Sequence, residues 1–255
     1  MIIKNQKFDD YLKIKAISQS SLKNILKTPA YFKAVMDGRI KYDSESMSFG
    51  KLAHAAVFFP DTWQELVKVY DGIKRGKAWE EFKAALNGAI AVKPDEQEKV
   101  VEFLSIYKEN TFMRQFIDGG EYEMTLTGEI DGVKIKGMVD CYQKNGTIVD
   151  LKTTKDASYN EFSKSILKYG YHIQAACYME LAEQNHLDTH SFIFCAVESD
   201  YPYSSAVYQL RPEDIALGHS QLLKAVRIYK KCTETNKWEG YPEELKEIGI
   251  PSWGI

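Results

Sequence analysis

Residues 137–158 read GMVDCYQKNGTIVDLKTTKDAS, and this stretch decides the fold. Asn145-Gly146 separates two runs rich in apolar and β-branched residues, and such a dipeptide favours a tight hairpin. The pattern predicts one strand at about 133–143 and another at about 147–153. Asp140 falls in the first of these strands, Asp150 and Lys152 in the second. Residues i and i+2 of a strand share a face, roughly 6–7 Å apart, so Asp150 and Lys152 project together. The hairpin can bring Asp140 alongside them.

Upstream, Asp131-Gly132 is a second hairpin signal and implies a preceding strand at about 121–130. Downstream, a helix is expected from about Tyr171 to Gln184, strands at 190–198 and about 205–210, and a long helix from Pro212 to about Lys231. The N-terminal half reads as helices. Ser18 caps a short helix to Leu26, and Thr28-Pro29 opens another that ends near Gly38. Residues 39–47 read as a loop, and Ser48 to Phe59 as a helix stopped by Pro60. Residues 61–93 give no clear pattern; Gly72 and Gly76 bracket a basic loop. A single helix is expected from Pro94 to about Phe116, ended by Gly119-Gly120. The tail, 236–255, carries Trp238, Pro242, Pro251 and Trp253 and is expected to wrap the surface. A helical part at about 1–117, an α/β core at about 118–231 and a tail at 232–255 then form one domain with a central mixed β-sheet flanked by helices.

The chain has 255 residues, 44% hydrophobic and 27% charged, enough for a substantial core without disulfides. Cys141, Cys177, Cys195 and Cys232 lie far apart, which argues against a zinc knuckle or a compact iron–sulfur run and fits buried thiols in a reducing compartment. No run approaches the roughly 18 apolar residues of a membrane span, and the N-terminus has no apolar signal core, so a cytoplasmic location is expected. The net charge of −3 offers no broad basic surface for phosphates, although a site rich in carboxylates recovers positive charge by binding divalent ions.

Two carboxylates on adjacent strands supply the hard oxygen ligands that such an ion takes, and a lysine beside it can help deprotonate water or offset charge on a phosphate. The competing reading is a charged, solvated strand end. Gln174 and Tyr178 share a helix face at i, i+4, either as a surface pair or packed beside the strands. His54, in FGKLAHAAVFF, is either a core histidine or a ligand. Glu121, Glu123 and Glu129 share a face by period two, and any of them can complete a metal shell or remain a solvated charge.

Taken in order, these residues resemble a known family. Ser18-Gln-Ser-Ser-Leu22, Phe49-Gly50 with His54, Glu123, Gly137-Met-Val-Asp140, Asp150-Leu-Lys152-Thr-Thr154 and Tyr171-His-Ile-Gln174-Ala-Ala-Cys-Tyr178 together make the chain similar to RecE-type phage and prophage exonucleases. These lie in the PD-(D/E)XK nuclease superfamily, near its RecB-like branch. The resemblance covers roughly residues 18–180. It implies Lys152, Asp140, Asp150 and Glu123 as catalytic residues. It implies His54, Asp140, Asp150 and the Leu151 carbonyl as ligands of magnesium, with manganese able to substitute. Gln174, Tyr178, Ser20 and Ser21 are implied to meet DNA. The implied activity is 5′ to 3′ hydrolysis of linear double-stranded DNA from its ends, leaving single strands for recombination. The implied assembly is a ring of three or four chains, with a single-strand annealing protein as partner. Tyr11, Tyr31, Phe32, Trp238, Tyr241 and Trp253 are candidate ring contacts. An endonuclease or single-strand nuclease on the same fold is the alternative, and an inactive DNA-binding module the non-enzymatic one. The chain departs from the family pattern twice: Gly137, Met138 and Val139 stand where the superfamily's proline is found, and the second acid is Asp150 rather than Glu.

Overall fold

The computed structural model describes residues 1–4, 8–40 and 45–249. In chain order the elements are β1 (Ile2–Ile3), α1 (Phe8–Lys13), β2 (Ile17–Ser18), α2 (Gln19–Leu22), α3 (Pro29–Met36), α4 (Glu45–Phe58), β3 (Val67–Val69), α5 (Lys77–Ala84), β4 (Ile90–Val92), α6 (Pro94–Glu109) and α7 (Thr111–Ile117). There follow β5 (Glu121–Ile130), β6 (Val133–Tyr142), β7 (Thr147–Thr154), α8 (Tyr159–Tyr169), α9 (Tyr171–Gln184), β8 (Ser191–Glu198), β9 (Ser205–Gln209) and α10 (Pro212–Thr235).

The main sheet runs β1-β5-β6-β7-β8-β9, with β2 added beside β6; the β7/β8 and β2/β6 pairs are parallel and the others antiparallel. The β5–β6 turn forms as expected, with both Asp131 and Gly132 at positive φ. One edge of β6 pairs with β5 along its length. The other is shared: β2 lies parallel to it at Ile135 and Lys136, and β7 pairs only at Cys141 and Tyr142. Between these two partners β6 has an open notch, and Asp140 lies in it.

Alternation along the strands buries both faces. Met124, Leu126, Ile135, Val139, Ile148 and Phe194 pack under α9 and α10. Cys141, Val149, Leu151, Ile193 and Cys195 pack under α4, α6 and α7. Helices therefore cover both sides of a mixed sheet, the expected fold class. All four cysteines are free and buried. No helix among the described residues is long and apolar enough to cross a membrane.

The caps formed as the sequence implied: Ser18 Oγ accepts from Ser21 N at 3.2 Å and Thr28 Oγ1 from Tyr31 N at 3.0 Å. Several expectations need correction. The helix expected from Pro94 to Phe116 is two, because Asn110 leaves helical geometry and its side chain caps Met113 N at 2.9 Å. Helix α4 begins at Glu45 rather than Ser48, and the rest of the expected 39–47 loop lies partly outside the described residues. Helix α8 was not expected, and the N-terminal half contributes strands β1 and β2, too short to show a period. Tyr11 and Phe32 are buried in their own fold, and the half-buried Trp238 stacks on Phe32 with ring centroids 5.5 Å apart, so all three pack within the chain. Pro251 and Trp253 lie outside the described residues.

Gly137 is where β6 passes beneath α9. A Cβ built there would stand 2.4 Å from Cε1 of the buried Tyr178 ring. Gly137→Ala is therefore expected to cost about 1–3 kcal/mol of overpacking. Thermal unfolding should show the melting temperature fall by several degrees, at roughly 2–4 °C per kcal/mol for a chain of this size.

Candidate active site

Strands β5 and β6 lose their simple alternation at one point. Tyr122 pairs with Cys141, and Met124 with Val139. Met124 and Val139 face the α9 side, whereas Tyr122 and Cys141 face the α4 side. Both strands thus change face between these pairs, at Glu123 and Asp140. Glu123 absorbs the change with φ +47°, a left-handed conformation costing a non-glycine residue about 1–3 kcal/mol. This irregularity aims two carboxylates to one place. It also undoes the period-two grouping of the three glutamates. Glu121 pairs with Lys4 at 2.8 Å, Glu129 is exposed, and Glu123 alone reaches the site.

His54 projects from α4 to meet them. Its Nδ1 is 3.2 Å from Glu123 Oε1 and its Nε2 is 2.9 Å from Asp140 Oδ2. The histidine is thus neither a plain core residue nor isolated. Burial opposes its charge most strongly, yet Asp140 and Glu123 together outweigh burial and raise its pKa to about 10. Asp140 Oδ2 also accepts from Leu151 N at 2.9 Å, replacing the ladder bond that β6 does not make in the notch. Burial alone would raise the Asp140 carboxyl; His54, Lys152 and the Leu151 N–H outweigh it and hold the group below the usual range.

Asp150 is 1% exposed. Its Oδ1 accepts from Gln174 Nε2 at 2.7 Å, and its Oδ2 lies against the Lys152 ammonium without forming a hydrogen bond of regular geometry. Burial, then the Asp140 charge, push Asp150 up to about 6 against the pull of Lys152. Lys152 itself is raised, because Asp150 and Asp140 overcome its burial, and its ammonium stands 4.8 Å over the Tyr171 ring. His54, Glu123, Leu151 and Lys152 line an open cleft of about 1530 Å³, and Asp140 and Asp150 lie behind them, in contact with His54 and Lys152.

Gln174 orients Asp150 from α9. Tyr178, 8% exposed, lies beneath Gly137 and supports the strand from inside; burial excludes it as a surface contact to a nucleic acid. Ser20 is exposed and Ser21 half-buried on α2, which begins where β2 ends beside the notch; both hydroxyls lie within hydrogen-bonding distance of Ser18 Oγ. Sequence reasoning missed Lys23. It lies close enough for Lys152 and Asp150 to act on its charge, and burial first, then Lys152, lower it to about 8. A lone lysine on a short helix gave no signal of this.

The donor set suits a hard divalent cation: carboxylate oxygens of Glu123, Asp140 and Asp150, an imidazole nitrogen, and a buried Asp150 oxygen with no hydrogen bond. Among the described residues no three such groups are already spaced as ligands of one ion. The reason is visible in the contacts, since His54 itself stands as the cation between Glu123 and Asp140. A metal taking those carboxylates must displace the His54 proton. Manganese binding is therefore expected to release about one proton near neutral pH and to tighten as pH rises. Calorimetry in buffers of differing ionisation enthalpy checks this, and the release should vanish in His54→Gln. Without metal, the raised His54 value adds stability that is full below about pH 6.5 and is lost as pH climbs towards 10.

The family model of a PDDEXK-like domain of unknown function (DUF3799) matches residues 18–248. No curated protein matches the chain. The crystal structure of a candidate exonuclease from Eubacterium rectale is similar over 95% of this chain and 97% of that one, at 17% identity and a TM-score of 0.60. That likeness bears on the fold. The structure of a phage-related exonuclease from Haemophilus somnus aligns with 90% of this chain and 100% of its own, at 15% identity and a TM-score of 0.40.

Proposed function

The chain belongs to the PDDEXK-like domain family, and from that premise we propose that it is a divalent-metal-dependent deoxyribonuclease that degrades linear double-stranded DNA from its ends. The observation that carries this reading is the cluster in which Asp140 and Glu123 meet His54 and Asp150 meets Lys152, with His54, Glu123 and Lys152 lining one cleft. A bound magnesium or manganese ion would lower the pKa of an attacking water and offset charge on the phosphodiester. Asp140, Asp150, Glu123 and His54 would hold it, with the Leu151 carbonyl as a further ligand. Gln174 keeps Asp150 aimed, and the Leu151 N–H does the same for Asp140. Lys152 supplies the positive charge that meets the scissile phosphate and assists proton removal from water. Ser20, Ser21 and Lys23, beside the notch, would contact the strand.

We further propose 5′ to 3′ polarity, a role in recombination beside a single-strand annealing protein, a cytoplasmic setting and a ring of three or four chains. The net charge of −3 supports the ring, because topological enclosure retains DNA without broad electrostatic capture. Tyr241, Leu245 and Ile248 are strongly exposed in the tail and supply apolar surface for subunit contacts. Light scattering should give the mass of three or four chains, and digestion of a long duplex should continue after a competitor trap is added. A monomeric mass with digestion stopping at once overturns the ring. The nuclease reading itself is tested on end-labelled linear and closed circular duplexes, with and without magnesium. Magnesium-dependent shortening of the linear form alone is expected; cleavage of the circle points to an endonuclease, and full activity in excess chelator sinks the metal-dependent reading.

A further inference from the structure

Aromatic rings extend from the core out to the cleft. Phe194 of β8 packs against Tyr171 with centroids 5.8 Å apart, and Tyr171 packs against Tyr169 at 5.6 Å with ring planes 30° apart. The two tyrosines straddle Gly170, whose left-handed backbone, φ +65°, ends α8 and starts α9 and turns residues i and i+2 towards each other. Tyr169 is fixed from behind, since the Lys23 ammonium donates to its carbonyl at 2.6 Å. Its ring is nonetheless spared by the core: the residue is 47% exposed and lines the cleft together with Tyr171. Lys152 stands over the inner ring at 4.8 Å, and the exposed Lys168 over the outer one at 5.3 Å. Two cations that can meet phosphates thus flank two rings that can meet a base.

We propose that Tyr169, backed by Tyr171, is a stacking platform for an unpaired nucleobase beside the phosphodiester held at Lys152. The inference rests on the nuclease reading and deepens it, because a base inside a duplex has no free face to offer. The strand at the site is therefore single-stranded or frayed there. Stacking on a tyrosine ring tolerates any base and depends on the ring rather than the hydroxyl. Lys168, on a flexible exposed stem, is free to leave the ring for a neighbouring phosphate.

The test uses the full chain in chelator, so that nothing is cut, and a short single-stranded oligonucleotide carrying 2-aminopurine at successive positions. One position should be quenched on binding. Tyr169→Ala should lose that quench and bind about tenfold or more weakly, the range that one stacked base supplies. Tyr169→Phe should keep both, and Tyr201→Ala, altering a tyrosine exposed elsewhere, should change neither. Quenching in Tyr169→Ala equal to wild type overturns the platform. So does Tyr169→Phe as weak as Tyr169→Ala at an unchanged melting temperature. A wild-type protein that quenches the probe yet never cleaves DNA with magnesium supports the platform and removes the nuclease reading, so the two fail separately.

Discussion

Asp150→Asn is expected to reduce cleavage by roughly a thousandfold or more, the scale of losing one charged group from a preorganised site, while the protein stays folded. The substitution preserves shape, and the amide oxygen can still accept from Gln174 Nε2. It removes the charge that makes the position useful. It also removes an ionisation that the fold resists. Burial and Asp140 raise the Asp150 pKa to about 6, so the folded chain holds this proton more tightly than the unfolded one. Wild-type stability therefore falls as pH rises from about 4 through 6, and that contribution to the fall is absent in Asp150→Asn. Melting curves across this window, in chelator, should show the variant gaining on the wild type as pH increases. Cleavage within about tenfold of wild type would end the catalytic assignment. A melting difference that shrinks with pH would show that Lys152, not burial, controls Asp150.

The sheet was legible because its signals were local. Two hairpin dipeptides and the β-branched runs beside them placed β5, β6 and β7 within a residue or two, and Pro212 marked the start of α10. The site was only half legible. Asp150 and Lys152 share a face because two residues of one strand must, so their contact followed from period two. Glu123 required knowing that the strand abandons that period at a positive φ, and nothing local in EYEMTLTGEI encodes it. His54 sat in an apolar helix whose packing is consistent with either role; only the carboxylates brought by β5 and β6, far away in sequence, decide its neighbours. Lys23 and Tyr169 were invisible for the same reason, since each gains meaning from a turn or a strand end remote in the chain. Residues 67–92 hid their structure for a different reason: β3, β4 and α5 are too short for a period to stand out, and the apolar face of α5, Trp79 and Phe82, packs on Tyr70 without being fully buried.

Lys152→Met should separate chemistry from metal binding. Methionine keeps much of the stem's length and packing and loses the ammonium. Cleavage is expected to drop by about a hundredfold to ten-thousandfold, the usual reach of one positioned group acting in proton transfer. Calorimetry should still find divalent ions bound, since the ligating oxygens and the His54 nitrogen are untouched. The change has a second consequence that a spectator lysine would not produce. Lys152 is the only cation touching the buried Asp150 among the described residues, and removing one partner of a buried ion pair costs about 3–5 kcal/mol. Without metal the variant should melt well below wild type at neutral pH. A divalent ion can stand in for the missing charge, so magnesium or manganese should raise the melting temperature of Lys152→Met more than that of wild type. Lowering the pH towards 5 should also narrow the gap, because Asp150, deprived of its counter-ion, takes up a proton instead. If metal binding is lost while cleavage survives, Lys152 supports the cation rather than the reaction. If melting is unchanged in chelator, the Asp150–Lys152 contact is not part of the metal-free protein.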